Sequence, residues 1–327
     1  MHYRSLIESA IKQALHNKYI WLLGFFAALL GNGAELDILI NTIASYSPPL
    51  SGPDYVPAIF QSPLIPTIAR SALIIISSPS EFITAAIIFL CASILAYSAF
   101  VAQAGLIHWA LNLSSGHAHV KKHITAGIQQ SGRVIILHLV HLGIMLLCVS
   151  TIAFSLIGIF KLAGILSPQS SAIIFSIVLL PLGLISHVLR KFSVIALFKE
   201  KKHTIGAFFY SFKIFSLHWK QSLEFIAVLL CATIVISLAY MAALIIILFP
   251  LASIGIVLYL LDISTPGFII LGATGLLAVA GLFIFGAFWA TCTHNVWVKF
   301  YEHLKIPIKT KFKERIEHFL SFHISRS

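Results

Sequence analysis

The sequence predicts an all-α integral membrane protein with about six transmembrane helices, and three features lead to that fold class. Hydrophobic residues make up 59% of the 327 residues and charged residues 10%, whereas soluble domains carry roughly 25% charged residues. Long stretches contain no ionisable side chain, and the basic residues concentrate between those stretches on one predicted side. We therefore expect a single membrane domain over residues 1–327.

Five stretches without Asp, Glu, Lys, Arg or His are long enough to cross a bilayer, which takes about 20 helical residues. Such stretches are favoured because an ionised side chain at mid-bilayer costs ~2.5–3.5 kcal/mol. The five stretches are residues 82–107, 142–160, 162–186, 225–261 and 263–293. A shorter stretch, 19–30, is taken as the first span, although Lys18 before it and Gly31 after it also match a signal peptide.

Pro250 interrupts the longest apolar stretch. Proline lacks the N–H group that a helix interior needs, and its ring clashes with the preceding turn. We therefore expect the fifth span to end near Leu248 and residues 251–262 to be re-entrant or interfacial. The alternative is a seventh span after Pro250, which would place the basic C-terminus on the other side of the membrane.

The basic residues predict the orientation, because cytoplasmic loops collect Lys and Arg. With the N-terminus inside, twenty of the 22 Lys and Arg residues fall in cytoplasmic segments, and only Arg70 and Lys161 fall outside. We predict a multi-pass protein of the cell (inner) membrane with cytoplasmic N- and C-termini. The net charge of +11 then belongs to one membrane face, so it does not require a nucleic-acid partner.

Two segments that lie 80 residues apart resemble each other, and a weaker copy opens the chain. The 80-residue offset matches Lys121, Lys122, His123, Ser131, Leu137 and His138 with Lys201, Lys202, His203, Ser211, Leu217 and His218. The weaker first copy matches at Ser9, Leu15 and His16. We predict parallel repeat units of about 1–111, 112–190 and 191–304 that form pseudo-threefold helical hairpins. Residues 305–327 then form an amphipathic cytoplasmic tail.

Each unit is predicted to open with an amphipathic interfacial helix. An apolar stripe with i, i+3, i+4, i+7 spacing would enter the headgroup boundary, while basic neighbours face lipid phosphates. The stripe consists of Ile205, Phe208, Phe209 and Phe212 in the third unit and of Tyr3, Leu6, Ile7 and Ala10 in the first. In the second unit Thr125, Gln129 and Gly132 replace apolar residues, so an ordinary loop helix is the alternative there.

The opening and the repeated hairpins together resemble a bacterial family. Residues 15–26 read Leu-His-Asn-Lys-Tyr-Ile-Trp-Leu-Leu-Gly-Phe-Phe, which looks like the start of many bacterial membrane proteins. In this chain amphipathic segments lead into apolar hairpins. This arrangement resembles that of uncharacterised bacterial polytopic proteins related to the membrane domain of glycerophosphoryl diester phosphodiesterase. The resemblance implies a helical membrane domain but no reaction, because that family's catalysis resides in an attached soluble domain.

The sequence shows no catalytic constellation. It contains no HExxH, GxSxG or P-loop motif, and the five long stretches contain no ionisable group. We predict no enzyme activity, no cofactor and no metal. The alternative is a metal bound by His117, His119 and His123, with His138 and His141 nearby. We favour interfacial histidines, because no Asp or Glu lies near these residues in sequence to orient their rings.

The basic cytoplasmic face is the remaining candidate site. We predict a non-enzymatic scaffold or accessory subunit that binds membrane lipids, preferentially anionic ones, on that face. The predicted headgroup contacts are Lys18, Lys121, Lys122, Arg133, Arg190, Lys191, Lys201, Lys202, Lys213 and Lys220. The alternative function is a transporter or channel for a lipid or another apolar solute.

Two other segments are candidates for partner binding. Gly286 and Ala290 form a small-xxx-small pair, which serves either internal packing or a homo-oligomer or membrane-protein interface. The outer segment 31–81 is rich in Pro and Ser, and we expect a structured loop there, with a lid or a docking surface as the alternative.

Overall fold

A computed structural model describes residues 3–29, 79–113, 120–163 and 168–305, and all regular secondary structure in these ranges is helical. The described α-helices are α1 (Tyr3–His16), α2 (Trp21–Ala28), α3 (Pro79–Leu111), α4 (Val120–Ala163), α5 (Pro168–Lys199), α6 (Thr204–Leu217), α7 (Trp219–Leu260) and α8 (Ser264–Lys305). A 3₁₀ turn, Lys18–Ile20, joins α1 to α2. Helices α3, α4, α5, α7 and α8 are long and apolar enough to cross a membrane, which confirms the predicted all-α membrane protein.

The buried core lies at one end of the long helices, which we call the basal end. Helices α3, α5 and α8 end there, and α4 and α7 begin there. The largest fully buried side chains include Trp109 of α3, Phe192 of α5, Phe225 of α7 and Phe300 of α8. Phe225 stacks on Phe300 with ring centroids 3.9 Å apart. Large aromatic rings dominate the energetics of such a core, so this end holds the bundle together.

Helix α1 lies along the C-terminal half of α8. Its Ala14 is fully buried in a cluster with Trp289 and Cys292 of α8. Farther along α8, the amide of Asn295 donates a hydrogen bond to Gln13 Oε1 at 2.8 Å. Small side chains and polar contacts such as this one therefore bring α1 close to the bundle.

Tyr3 ties the start of α1 to α7. Its hydroxyl donates a hydrogen bond to Glu224 Oε2 at 3.0 Å, and its ring lies 5.9 Å from that of Phe225. Burial, together with the Glu224 carboxylate, raises the pKa of Tyr3 to about 12. The phenol is therefore neutral at physiological pH.

Glycines set the closest contacts between helices at the basal end. A Cβ atom on Gly127 of α4 would overlap the carbonyl oxygen of Val101 in α3, and one on Gly105 would lie 3.0 Å from the carbonyl oxygen of His123. A Cβ atom on Gly24 would overlap the backbone of α8. Helices α3 and α4, and helices α2 and α8, therefore approach each other backbone to backbone.

The small-residue pair noted on α8 does not form one close contact within the described part of the chain. Ala290 is fully buried, but a Cβ atom on Gly286 would have no neighbour within 4 Å among the described residues. Gly286 therefore does not bring two described helices together. The proposed homo-oligomer interface at this pair stays a prediction.

The halves of the long helices away from the basal end expose apolar side chains. Residues 82–97 of α3 and 265–284 of α8 are mostly exposed and rich in Phe, Ile and Leu. On one side α8 packs against α7, where the Tyr240 hydroxyl donates a hydrogen bond to the Gly281 carbonyl at 2.7 Å. A 20-residue helix is about 30 Å long, which matches the hydrocarbon core of a bilayer. These halves therefore have the length and the polarity of lipid-contacting segments.

The prediction that the fifth span ends near Leu248 is wrong. Helix α7 is continuous from Trp219 to Leu260, so residues 251–260 extend the span and are not a separate interfacial piece. Pro250 removes one backbone hydrogen bond, but neighbouring polar groups compensate for such losses in apolar helices. The carbonyl that loses its partner is that of Ile246, four residues before Pro250.

Helix α7 ends in a regular capping motif, and one other span differs from the sequence expectation. Helix α7 stops at a turn in which Asp262 has a φ of 60° and the N–H of Ile263 donates to the carbonyl of Leu258 at 3.0 Å. This is a Schellman motif, which satisfies the last carbonyls of the helix. The span expected over 162–186 is shifted, because α4 extends to Ala163 and α5 begins at Pro168.

The first and third predicted repeat units share one helix pattern. Helices α1 and α6 each contain 14 residues, and each is followed by a break, at Asn17 and His218 respectively. The matched residues Ser131 and Ser211 are both buried. In the second unit, however, α4 is continuous through His138, so that unit has no separate interfacial helix. The pseudo-threefold arrangement stays a prediction.

Some predictions lie outside the described residues. They concern residue 30 of the first span, nearly all of the outer segment 31–81, and the tail beyond Lys305. Of the first span, the structure describes the short helix α2, from Trp21 to Ala28.

Candidate functional site

Eight of the ten residues predicted to contact lipid headgroups have exposed side chains. They are Lys18, Lys121, Lys122, Arg133, Lys201, Lys202, Lys213 and Lys220. They lie on α4, on α6, at the start of α7, or in the short segments before α2 and α6. All of these positions belong to the basal end. We refer to these eight residues as the basic belt.

Arg190 and Lys191 are placed differently from the prediction. Lys191 is only 6% exposed, and its Nζ lies 3.4 Å from Nε2 of the buried His294. Arg190 is half-buried, with Nη2 3.2 Å from Nδ1 of His187. The cause is that α5 continues to Lys199, and adjacent helical residues point about 100° apart. Lys191 is therefore a core residue and not a headgroup contact.

The two predicted apolar stripes also differ in their surroundings. On α6, Ile205, Phe209 and Phe212 are exposed, while the opposite side of the helix is buried against the bundle. On α1, Tyr3 and Ala10 are buried. The expectation of a lipid-facing stripe is therefore wrong for the first unit, because α1 uses that side to pack on α7 and α8.

A cavity of about 550 Å³ opens at the basal end between α3, α4, α5 and α8. Eight of its twelve lining residues are polar or charged, and the other four are apolar. The lining residues are His108, Leu111, Asn112, Ala126, Gln129, Gln130, Arg133, Leu197, Phe198, Lys199, Lys201 and Glu302. Two members of the basic belt, Arg133 and Lys201, are thereby brought to one site.

The cations of this cavity fall into two kinds. Lys199 forms an ion pair with Glu302, with 2.6 Å between Nζ and Oε1. Arg133 and Lys201 have no carboxylate within ion-pair distance in the described part of the chain, and Arg133 Nη1 lies 3.4 Å from Gln130 Oε1. The cavity therefore holds one neutralised lysine and two cations that can accept an anionic ligand.

Lys201 has an unusual backbone conformation at the rim of the cavity. Its φ is 50°, in the left-handed region that favours glycine or asparagine after the end of a helix. A residue with a long side chain at such a position is held there at some cost in backbone strain. Glycine would adopt this backbone conformation with less strain than lysine.

Two histidines meet at the edge of the cavity. Nδ1 of His108 lies 2.9 Å from Nδ1 of His123, and the two ring centroids are 5.1 Å apart. The two nitrogen atoms therefore lie nearly on the line between the rings, which is hydrogen-bond geometry. One nitrogen donates its proton and the other accepts it, so the pair holds one proton between these atoms. This contact joins α3 to α4 one turn beyond Gly105.

The histidine cluster proposed as the metal alternative is only partly described. Within the described ranges, no three His, Cys, Asp or Glu side chains come together as a metal site. His117 and His119 lie outside those ranges. His138 and His141 instead each approach a backbone carbonyl of α4 through Nδ1, both at 2.9 Å.

Sequence reasoning missed several cavity residues, including Lys199, Glu302 and Asn112. Their positions in the chain carry no shared spacing, because the ends of three different helices bring them together. Only Arg133 and Lys201 had a signal in the sequence, which was their place among the basic residues of the predicted cytoplasmic face.

Comparisons with known proteins give no relative: no protein-family model, no curated protein and no solved structure matches this chain. The resemblance to the membrane domain of glycerophosphoryl diester phosphodiesterase therefore stays a prediction.

Proposed function

We propose that this chain is a non-enzymatic scaffold or accessory subunit of the cell membrane whose basic face binds anionic lipid headgroups. The observation that carries this proposal is the basic belt, whose eight exposed cations gather at the basal end. Each basic residue near an anionic leaflet contributes ~1 kcal/mol of attraction. Several such residues together are enough to retain headgroups against exchange.

Helix α6 supports this proposal as an interfacial element. Its exposed Phe209 and Phe212 would enter the headgroup boundary, and Lys213 is exposed beside Phe212. Aromatic and basic side chains on one exposed surface are typical of helices that lie in the membrane plane. Lys202, at the start of this helix, has Nζ 5.7 Å from the centroid of the Tyr210 ring.

The orientation follows from the same charges. Cytoplasmic segments of membrane proteins collect Lys and Arg, so we propose that the basal end faces the cytoplasm. Asp262 lies at the α7–α8 turn, at the opposite end. Both termini are then cytoplasmic, and the bound lipids are those of the inner leaflet.

The test removes three belt charges that do not line the cavity: Lys121→Gln, Lys122→Gln and Lys202→Gln in one variant. We expect normal insertion but less co-purified anionic lipid, measured by mass spectrometry of lipid extracted from the detergent-purified protein. The matched control replaces the same lysines with arginine, which keeps the charges, and should retain the wild-type amount. Equal lipid content in the glutamine variant and the wild type would refute the proposal.

A further inference from the structure

We propose that the basal cavity is a discrete site for one phosphate group of a membrane-lipid headgroup, with Arg133 and Lys201 as its ligands. This inference rests on the proposed function and makes it specific, because a surface belt attracts many lipids loosely whereas a cavity binds one. The geometry at the cavity distinguishes these two residues from the other belt residues.

The charges of the cavity favour an anionic ligand. Lys199 is neutralised by Glu302, so the net charge available to a ligand comes from Arg133 and Lys201. A guanidinium group presents a planar fork that matches two phosphate oxygens, and hydrogen bonds to ionised groups are about twice as strong as neutral ones. The amide of Gln129 adds a further hydrogen-bond donor to the lining.

One effect opposes this assignment. Helices α3, α5 and α8 end at the cavity, and the C-terminus of a helix carries a partial negative charge of about half an electron. The basic residues could therefore serve only to balance the helix ends. That explanation requires Lys201 to stabilise the fold, whereas its φ of 50° makes lysine a strained choice at this turn. If Lys201 balances the helix ends, Lys201→Gly should lower the melting temperature. If Lys201 serves a ligand, Lys201→Gly should leave the melting temperature unchanged or raise it.

Neighbouring apolar surface indicates a lipid and not a free phosphate ester. One turn beyond Arg133 on α4, Ile136 is 52% exposed, and Leu139 after it is 60% exposed. At about 100° per residue Ile136 lies about 60° around α4 from Arg133 and Leu139 about 120°, so this exposed apolar surface winds from the cavity rim toward the apolar half of α4. A lipid whose phosphate contacts Arg133 can therefore lay an acyl chain along this helix, which a soluble phosphate ester cannot do.

The experiment counts bound lipid by native mass spectrometry while phosphatidylglycerol is titrated into the detergent-purified full chain. The wild type should show one saturable equivalent above the diffuse background. Arg133→Gln should weaken that equivalent at least tenfold, and Arg133→Lys should weaken it less. Lys201→Gly should also weaken it at least tenfold while leaving the melting temperature unchanged or higher. The matched control, Lys12→Gln, removes an exposed charge of α1 that lies outside the basic belt and should not change the saturable equivalent.

Three outcomes would overturn the inference. The first is a loss of lipid that depends only on how many positive charges are removed and not on which lysine or arginine carries them. This result would show that the belt binds lipid and the cavity does not. A lower melting temperature for Lys201→Gly would assign Lys201 to the helix ends. If glycerol phosphate or inorganic phosphate competes for the site as well as phosphatidylglycerol does, the site binds a soluble phosphate and not a lipid. If the triple glutamine belt variant also retains all its lipid, the proposed function fails as well, so the two failures are distinguishable.

Discussion

Replacing Gly127 by alanine tests the packing at the basal end most directly. Its Cβ atom would overlap the carbonyl oxygen of Val101 and lie 3.2 Å from the backbone nitrogen of Gly105. Both neighbours are backbone atoms, so α3 and α4 must separate to admit a methyl group. Overpacking of this kind costs about 1–3 kcal/mol. Alanine also gains about 1 kcal/mol over glycine in helix propensity, which partly offsets the cost.

A second glycine on the same helix removes the propensity term from the comparison. Gly132 lies five residues later on α4, and a Cβ atom there would meet nothing within 4 Å among the described residues. Gly132→Ala should therefore raise stability by up to about 1 kcal/mol. The difference between the two variants then equals the overpacking cost, about 1–3 kcal/mol.

The measurement is thermal unfolding of both variants in the same detergent, followed by the fluorescence of the buried Trp109 and the other tryptophans. Gly127→Ala should melt below Gly132→Ala, and Gly132→Ala at or above the wild type. Equal shifts in the same direction for both variants would refute the close crossing of α3 and α4 at Gly127.

Three further predictions concern other parts of the fold. The pKa of Tyr3 is raised to about 12, so its contribution to stability should be fully present below pH ~10 and lost as the pH rises from ~10 to ~12; Tyr3→Phe should remove that alkaline loss from a melting-temperature profile. Phe300→Ala should lower the free energy of unfolding by about 3–5 kcal/mol because Phe300 is fully buried, whereas Phe249→Ala, at a 67% exposed residue, should stay within about 0.5 kcal/mol in detergent. In a cysteine-free background, Ser264→Cys should react with an impermeant thiol reagent applied outside intact cells and Ser216→Cys should not; the reverse labelling would invert the proposed orientation.

The membrane fold could be predicted from the sequence because it depends on the length of apolar runs, which is a local property of the chain. A run of apolar residues long enough to cross a bilayer is visible without knowing its neighbours, and five long helices confirm it. The continuation of α7 through Pro250 could not be predicted, because it depends on how an apolar helix compensates one lost hydrogen bond.

Packing and the cavity depended on information that a single sequence does not carry. Gly127 and Gly132 look alike in sequence, yet only Gly127 lies at a helix crossing. Arg190 and Lys191 are neighbours with the same charge, yet Lys191 is buried and Arg190 is half-exposed. The rotation of each helix about its axis decides these differences, and that rotation is set by partners far away in the chain.

The length of the helices has a mechanical consequence. Helix α4 has 44 residues and α7 and α8 have 42 each. At 1.5 Å per residue such helices are about 65 Å long, roughly twice the thickness of the hydrocarbon core. A change of about 10° in the tilt of one helix therefore moves an end that lies about 30 Å away by about 5 Å. Because α3 contacts α4 and α2 contacts α8 backbone to backbone, these helices must tilt in pairs when the bilayer becomes thicker or thinner.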